Sequence, residues 1–189
     1  MIRYLFIIIF FSLINSSSAN NKENIINNLI ETKNINFDFE QNINDKIEKG
    51  NCVIEYPKKI FCEYSVQNNK ILVSNGSSLV IKTNTSYYLY PLDKTPLNFI
   101  LDKNYLINKI YNLEERVIDD YFVNYKINEN GNEISIFFDN QSFNLVGWQT
   151  KDMYQNLNIT FLSSVKKMNL LIKIFLNYLC ETKLLLSQF

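Results

Sequence analysis

The spacing of hydrophobic positions changes character several times along the chain. Tyr4 to Ile14, "YLFIIIFFSLI", is an apolar run of eleven residues behind the basic start Met1-Ile2-Arg3. It is too short to span a bilayer, which needs about 20 apolar residues. "NSSSA" follows, with the small residues Ser17 and Ala19 at the positions a signal peptidase reads. The pattern predicts a secretory signal peptide over 1–19, removed after Ala19. In "NKENIINNLIET", Asn21 to Thr32, the residues Ile25, Ile26, Leu29 and Ile30 recur at helical spacing and predict a short amphipathic helix laid on a sheet. From Ile35 the period becomes two, as "INFDFEQ", "CVIEY" and "IFCEY" alternate. Strands are predicted near Lys70–Ser74, Ser78–Lys82 and Ser86–Tyr90, with Asn75-Gly76 as a tight hairpin turn. Further strands follow at Asp120–Ile127, Glu133–Phe138, Phe143–Gln149 and Asn156–Leu162. Short strands separated by short turns indicate a mainly β, antiparallel sheet or barrel.

One segment breaks the alternation. "TPLNFILDKNYLINKIYNLEE", Thr95 to Glu115, places Pro96 at a helix start, with Leu97, Ile100 and Leu101 at helical spacing behind it. A helix inserted in a meander must cover one face or one mouth of the sheet, as a lid would. The last stretch, from Lys167 to Phe189, sets Leu171, Phe175, Tyr178 and Leu185 in rough helical register and predicts a packing helix.

Composition narrows the chemistry. The chain has 19 basic and 19 acidic residues, and loss of Arg3 with the leader shifts that balance by one. No long-range attraction to nucleic acid is expected. There is no histidine, so the commonest general base and metal ligand are missing. No Gly-X-Ser-X-Gly elbow occurs, and Glu114-Glu115 and Asp119-Asp120 are sequence neighbours that suit a surface. The expectation is a protein that is not an enzyme, with no cofactor.

The three cysteines, Cys52, Cys62 and Cys180, form no Cys-X-X-Cys pair. A structural zinc site wants four ligands, so no metal site is expected. In an oxidising compartment a disulfide is the default. A hairpin centred on Pro57 sets Cys52 and Cys62 opposite one another, and that pair is predicted to be bonded. Alternation in the same hairpin puts Ile54, Tyr56, Ile60, Cys62 and Tyr64 on one face. Val53, Glu55, Lys59, Phe61 and Glu63 lie on the other. The first face either is core beneath the helices or lines a cavity, and the pattern leaves both open.

The order of these motifs resembles the outer-membrane lipoprotein carrier family, LolA. The shared features are "FEQ" at Phe39–Gln41, the run "GNCVIEYPKKIFCEY", the "VSNG" hairpin at Val73–Gly76, "PLDKTP" at Pro91–Pro96 and "NLVGWQTKDMYQNLNITF". The resemblance covers about residues 22 to 175. It implies a carrier domain over 20–175, an unclosed antiparallel β-barrel (half-barrel) with a helical lid and an N-terminal amphipathic helix. It leaves 176–189 as an unmatched tail. It also implies a periplasmic chaperone that shields the acyl chains of lipoproteins. Such a chaperone takes them from an inner-membrane exporter to an outer-membrane acceptor, and is expected to act as a monomer. A sensor or carrier of free lipid on the same half-barrel is the alternative. Carried over by position, Leu29, Phe39, Ile54, Tyr56, Ile60 and Tyr64 should face the cavity, and Pro96, Leu97, Ile100 and Leu101 should form the lid. The family places arginine before the turn proline, where this chain has Tyr56, and an aromatic residue where it has Cys62.

Overall fold

The computed structural model describes residues 21–65, 68–151 and 155–167. The leader over 1–19, the final helix from Lys167 onward, the tail over 176–189 and Cys180 therefore lie outside the described residues, Lys167 itself excepted. Helix α1, Asn21–Glu31, leads into eleven strands: β1 Asn34–Ile43, β2 Lys46–Glu55, β3 Lys59–Tyr64, β4 Ile71–Asn75, β5 Ser78–Lys82, β6 Tyr87–Pro91, β7 Arg116–Ile118, β8 Phe122–Glu129, β9 Asn132–Asp139, β10 Leu145–Lys151 and β11 Leu157–Lys167. Between β6 and β7 come a 3₁₀ turn at Leu92–Lys94 and two helices, α2 Leu97–Ile100 and α3 Lys103–Asn112.

The strands form one sheet in the order β6-β5-β4-β3-β2-β1-β11-β10-β9-β8-β7, and every pairing is antiparallel. The two halves of the chain meet where β1 pairs with the last strand, β11. β6 and β7 are free edges that do not meet, so the sheet curls without closing and is an open half-barrel. Alternation along the strands sorts residues by face. In β8 the residues Val123, Tyr125 and Ile127 are buried, and in β9 Ile134, Ile136 and Phe138 are. Their faces meet α3, whose Leu106 and Ile110 are fully buried at the required four-residue spacing.

The mid-chain helical segment is broken where a continuous helix was expected. Leu101 ends α2, and Asp102 takes an extended backbone and accepts a 3.1 Å hydrogen bond from the Tyr105 backbone N–H. An Asp cap satisfies a donor that the first turn of α3 would leave orphaned, so the helix restarts there. The Asn75-Gly76 turn forms as expected. Gly76 has φ of 99°, and the Asn75 side chain accepts from the Ser77 and Ser78 N–H groups. Gly50 has a packing reason instead: a Cβ there would fall 2.7 Å from the Phe39 ring and 2.9 Å from Tyr64 Cα. β2 must approach Phe39 and β3 without a side chain at that point.

Candidate functional site

The concave face of the sheet carries two regions. Beneath the helices it is solid. Ile25, Ile54, Ile100, Leu101, Leu106 and Ile110 are each fully buried there in one cluster, with Leu29 nearly so. Beyond the helices it opens into a cavity of about 240 Å³. Its wall includes Phe39, Ile60, Leu72, Leu79, Trp148 and the Cys52–Cys62 bond, and Thr95, Pro96 and Leu97 close one side. The volume is below the ~300–1,000 Å³ of clefts that bury a drug-sized ligand. The helical cover is packed down on the sheet, with Ile100, Leu101, Leu106 and Ile110 in the core, and this is the closed arrangement.

The disulfide joins directly opposed residues of β2 and β3, as the hairpin spacing predicts. Neighbouring pairs in the same register are Ile54 with Ile60 and Gly50 with Tyr64. The Phe39 and Tyr64 rings meet edge to face at 4.9 Å between centroids. The Tyr64 hydroxyl donates to Gln41 Oε1 at 3.3 Å. Burial, helped by nearby Glu48, pushes that hydroxyl far above its ordinary pKa, so it stays protonated. Lys70 lies 4.1 Å from the Tyr64 ring centroid and pairs with Glu48. Burial raises the Glu48 pKa, but the hydrogen bonds from Lys70 and Lys46 outweigh it and hold the carboxyl below its ordinary value.

Polar contacts fasten the cover at several points, among them Glu129 of β8, which accepts from the Tyr105 hydroxyl at 3.0 Å and pairs with Lys109 at 2.6 Å. The Lys58 N–H, in the β2–β3 turn, donates to the Leu101 carbonyl at 2.8 Å, and Lys58 Nζ meets Asp102 at 3.3 Å. Lys103 donates to the Ile30 and Thr32 carbonyls at 3.1 and 2.9 Å. These lie at the C-terminal end of α1, where a cation also complements the helix dipole. At the other end Lys22 donates to the Leu113 carbonyl at 2.7 Å. Tyr56 sits among these contacts. Its N–H bonds the Lys33 carbonyl at 3.0 Å, and its ring packs against the main core. The Tyr56 hydroxyl is buried and has no hydrogen-bond partner among the described residues, and burial drives its pKa far up.

Sequence reasoning assigned six residues to a cavity. Phe39, Ile60 and Tyr64 line the open one, with Cys52 and Cys62 beside them. Leu29 and Ile54 are buried under the cover, and Tyr56 packs against the same cluster. Of the four lid residues, Pro96 and Leu97 border the cavity, while Ile100 and Leu101 point into the solid region. Sequence reasoning missed Gln41, Leu72, Leu79, Trp148 and Thr160. Their signal was alternation and register alone: Gln41 lies two residues beyond Phe39 and pairs with Thr160, which pairs with Trp148, while Leu72 pairs with Cys62 and Leu79 is linked through Ser74 to Ile60.

The architecture is an open β half-barrel whose concave wall is apolar and partly covered by helices. The sequence matches the family model "Outer membrane lipoprotein carrier protein LolA" over residues 31–175. The chain belongs to this family. Sequence comparison with curated proteins gives no match. Among solved structures it is similar to a LolA superfamily protein from Nitrosomonas europaea, with 9% identity, 82% of this chain and 96% of the other covered, and a TM-score of 0.42. It is also similar to an uncharacterized conserved protein from Thermus thermophilus, with 8% identity, 82% and 90% covered, and a TM-score of 0.48. A third is the lipoprotein LppX of Mycobacterium tuberculosis, with 10% identity, 79% and 95% covered, and a TM-score of 0.41. Among the described residues no helix is long and apolar enough to cross a membrane.

Proposed function

We propose that the protein is a periplasmic chaperone for lipoproteins. It takes their acyl chains from an inner-membrane exporter, shields them through water and releases them to an outer-membrane acceptor. The observation that carries this reading is the apolar cavity in the concave face, bordered by Pro96 and Leu97 at the edge of the cover that α2 and α3 form. The energetics suit a carrier. Each large apolar side chain of the cover is worth about 1.5–3 kcal/mol when buried, and each acyl methylene about 0.8 kcal/mol. A chain that displaces Ile100 and Leu101 therefore offsets much of the burial they lose. Loading and unloading are near balance, which lets cargo pass on without an energy source. The disulfide and the β2–β3 hairpin give a fixed wall, and the fastenings at Leu101, Lys103, Lys22 and Glu129 are polar contacts that water can replace on opening.

The test is site-specific photocrosslinking. p-Benzoylphenylalanine in place of Leu79, on the cavity wall, should capture a triacylated lipoprotein and ignore its non-acylated form. The same group in place of Phe161, exposed on the opposite face of β11, should capture neither. Equal capture at both positions, or capture of the non-acylated form at Leu79, contradicts the reading.

A further inference from the structure

The apolar wall of the cavity suits an acyl chain, but one end of the wall is polar. Gln41, Thr150, Asn158 and Thr160 border it at the strand ends remote from α1. Among the described residues of the lining, the charged ones are Lys70 and Lys151, and no carboxylate is among them. The Lys70 side chain is 18% exposed, held by Glu48 and by the Tyr64 ring. Glu48 is shared between Lys46 and Lys70, so this cluster carries one surplus positive charge. Lys151 forms no ion pair among the described residues, and the carboxylate whose titration it influences, Glu133, is bound to Lys126. The cavity thus pairs a narrow apolar pocket with a cationic end. Its volume of about 240 Å³ gives room for one slim chain and not for several.

We infer that, besides the acyl chains of a carried lipoprotein, the closed protein binds one single-chain anionic amphiphile in this cavity. The chain lies against the Cys52–Cys62 bond, Leu72, Leu79 and Trp148, and the oxyanion is met by Lys70 and Lys151. The ligand class is an acyl or alkyl chain ending in a carboxylate or a phosphate. This rests on the reading of the cavity as an acyl-chain site. It adds that the closed protein selects for a negative head, and that such a ligand competes with cargo because both need the same wall.

Trp148 is the sole tryptophan of the chain and lines the cavity, so its fluorescence reports occupancy directly. The purified protein is titrated with laurate, dodecyl phosphate and methyl laurate, each below its micelle concentration. Laurate or dodecyl phosphate should change the Trp148 emission at a concentration about tenfold lower than methyl laurate, the ratio expected from one charge-assisted hydrogen bond. Whichever anion binds tighter identifies the head group. Lys151→Ala should shrink the gap while leaving methyl laurate binding unchanged. Lys70→Met, which leaves Glu48 its Lys46 partner, should do the same. Equal binding of laurate and methyl laurate overturns the anion site and leaves the acyl-chain cavity standing. Binding of none of the three overturns both.

Discussion

Tyr56→Phe is predicted to stabilise the protein. Tyr56 follows β2 and packs its ring against the main core, and its hydroxyl is a buried side-chain oxygen without a hydrogen-bond partner among the described residues. A hydroxyl moved from water into such a place costs about 1–3 kcal/mol by the standard of protein mutants. Phenylalanine keeps the ring, its volume and its apolar contacts, and removes only the orphaned oxygen. The expected gain is about 1–2 kcal/mol. For a protein of this length that is a rise in Tm of about 2–8 °C. Urea unfolding should show the same gain as a higher midpoint with an unchanged slope, since the surface exposed on unfolding is the same. The gain belongs to the closed form, so the variant should also load cargo more slowly. An unchanged or lower Tm would refute the reasoning, because it would mean that the hydroxyl has a partner in the folded state.

Other perturbations follow from the same geometry. Replacing both Cys52 and Cys62 by serine should cost about 2–3 kcal/mol through loop-closure entropy, read as a lower denaturation midpoint than that of the oxidised protein. Alkylation without reductant should leave both thiols unmodified in the native chain. Gly50→Ala should destabilise by about 2–3 kcal/mol, because its Cβ collides with the Glu63 carbonyl and the Phe39 ring; circular dichroism melting measures it. Glu48 has a folded pKa below its ordinary value of 4.5, so the stability it carries is complete above that value. That stability is lost as pH falls through the lower folded value. Glu48→Gln should therefore lower stability at neutral pH and flatten the acid limb of the Tm–pH curve.

The strands were legible because one face of each is buried, which enforces a period of two. Val123, Tyr125 and Ile127 in β8 and Ile134, Ile136 and Phe138 in β9 read directly as an inward face. The Cys52–Cys62 register was legible too, since Pro57 centres the hairpin. What stayed hidden depends on long-range packing. β7 has three residues and no alternation to show, so Arg116–Ile118 was missed. The first half of β2, "KIEKGN", is polar in sequence because Glu48 is buried by ion pairing and not by apolar character. The helix break at Asp102 is a capping event that apolar periodicity does not register. In the site, the division of the assigned residues between packed core and cavity wall was not visible in the sequence. Which residues lie under the cover and which line the open cavity depends on how far α2 and α3 reach across the sheet. Ile54 and Ile60 both sit at inward strand positions and pair in register, yet the first is in the packed core and the second also borders the cavity.

The central claim is that this half-barrel carries acyl chains out of a membrane. The direct measurement is release: inner membranes bearing a newly made triacylated lipoprotein and a working exporter are mixed with the purified protein. The lipoprotein that leaves the membrane fraction bound to it is then counted. The account predicts release that depends on the acyl chains and is blocked when the Lys58–Asp102 edge of the cover is locked to the β2–β3 turn by an engineered crosslink. A folded protein that releases no lipoprotein, or one that releases it equally with the cover locked, would contradict it.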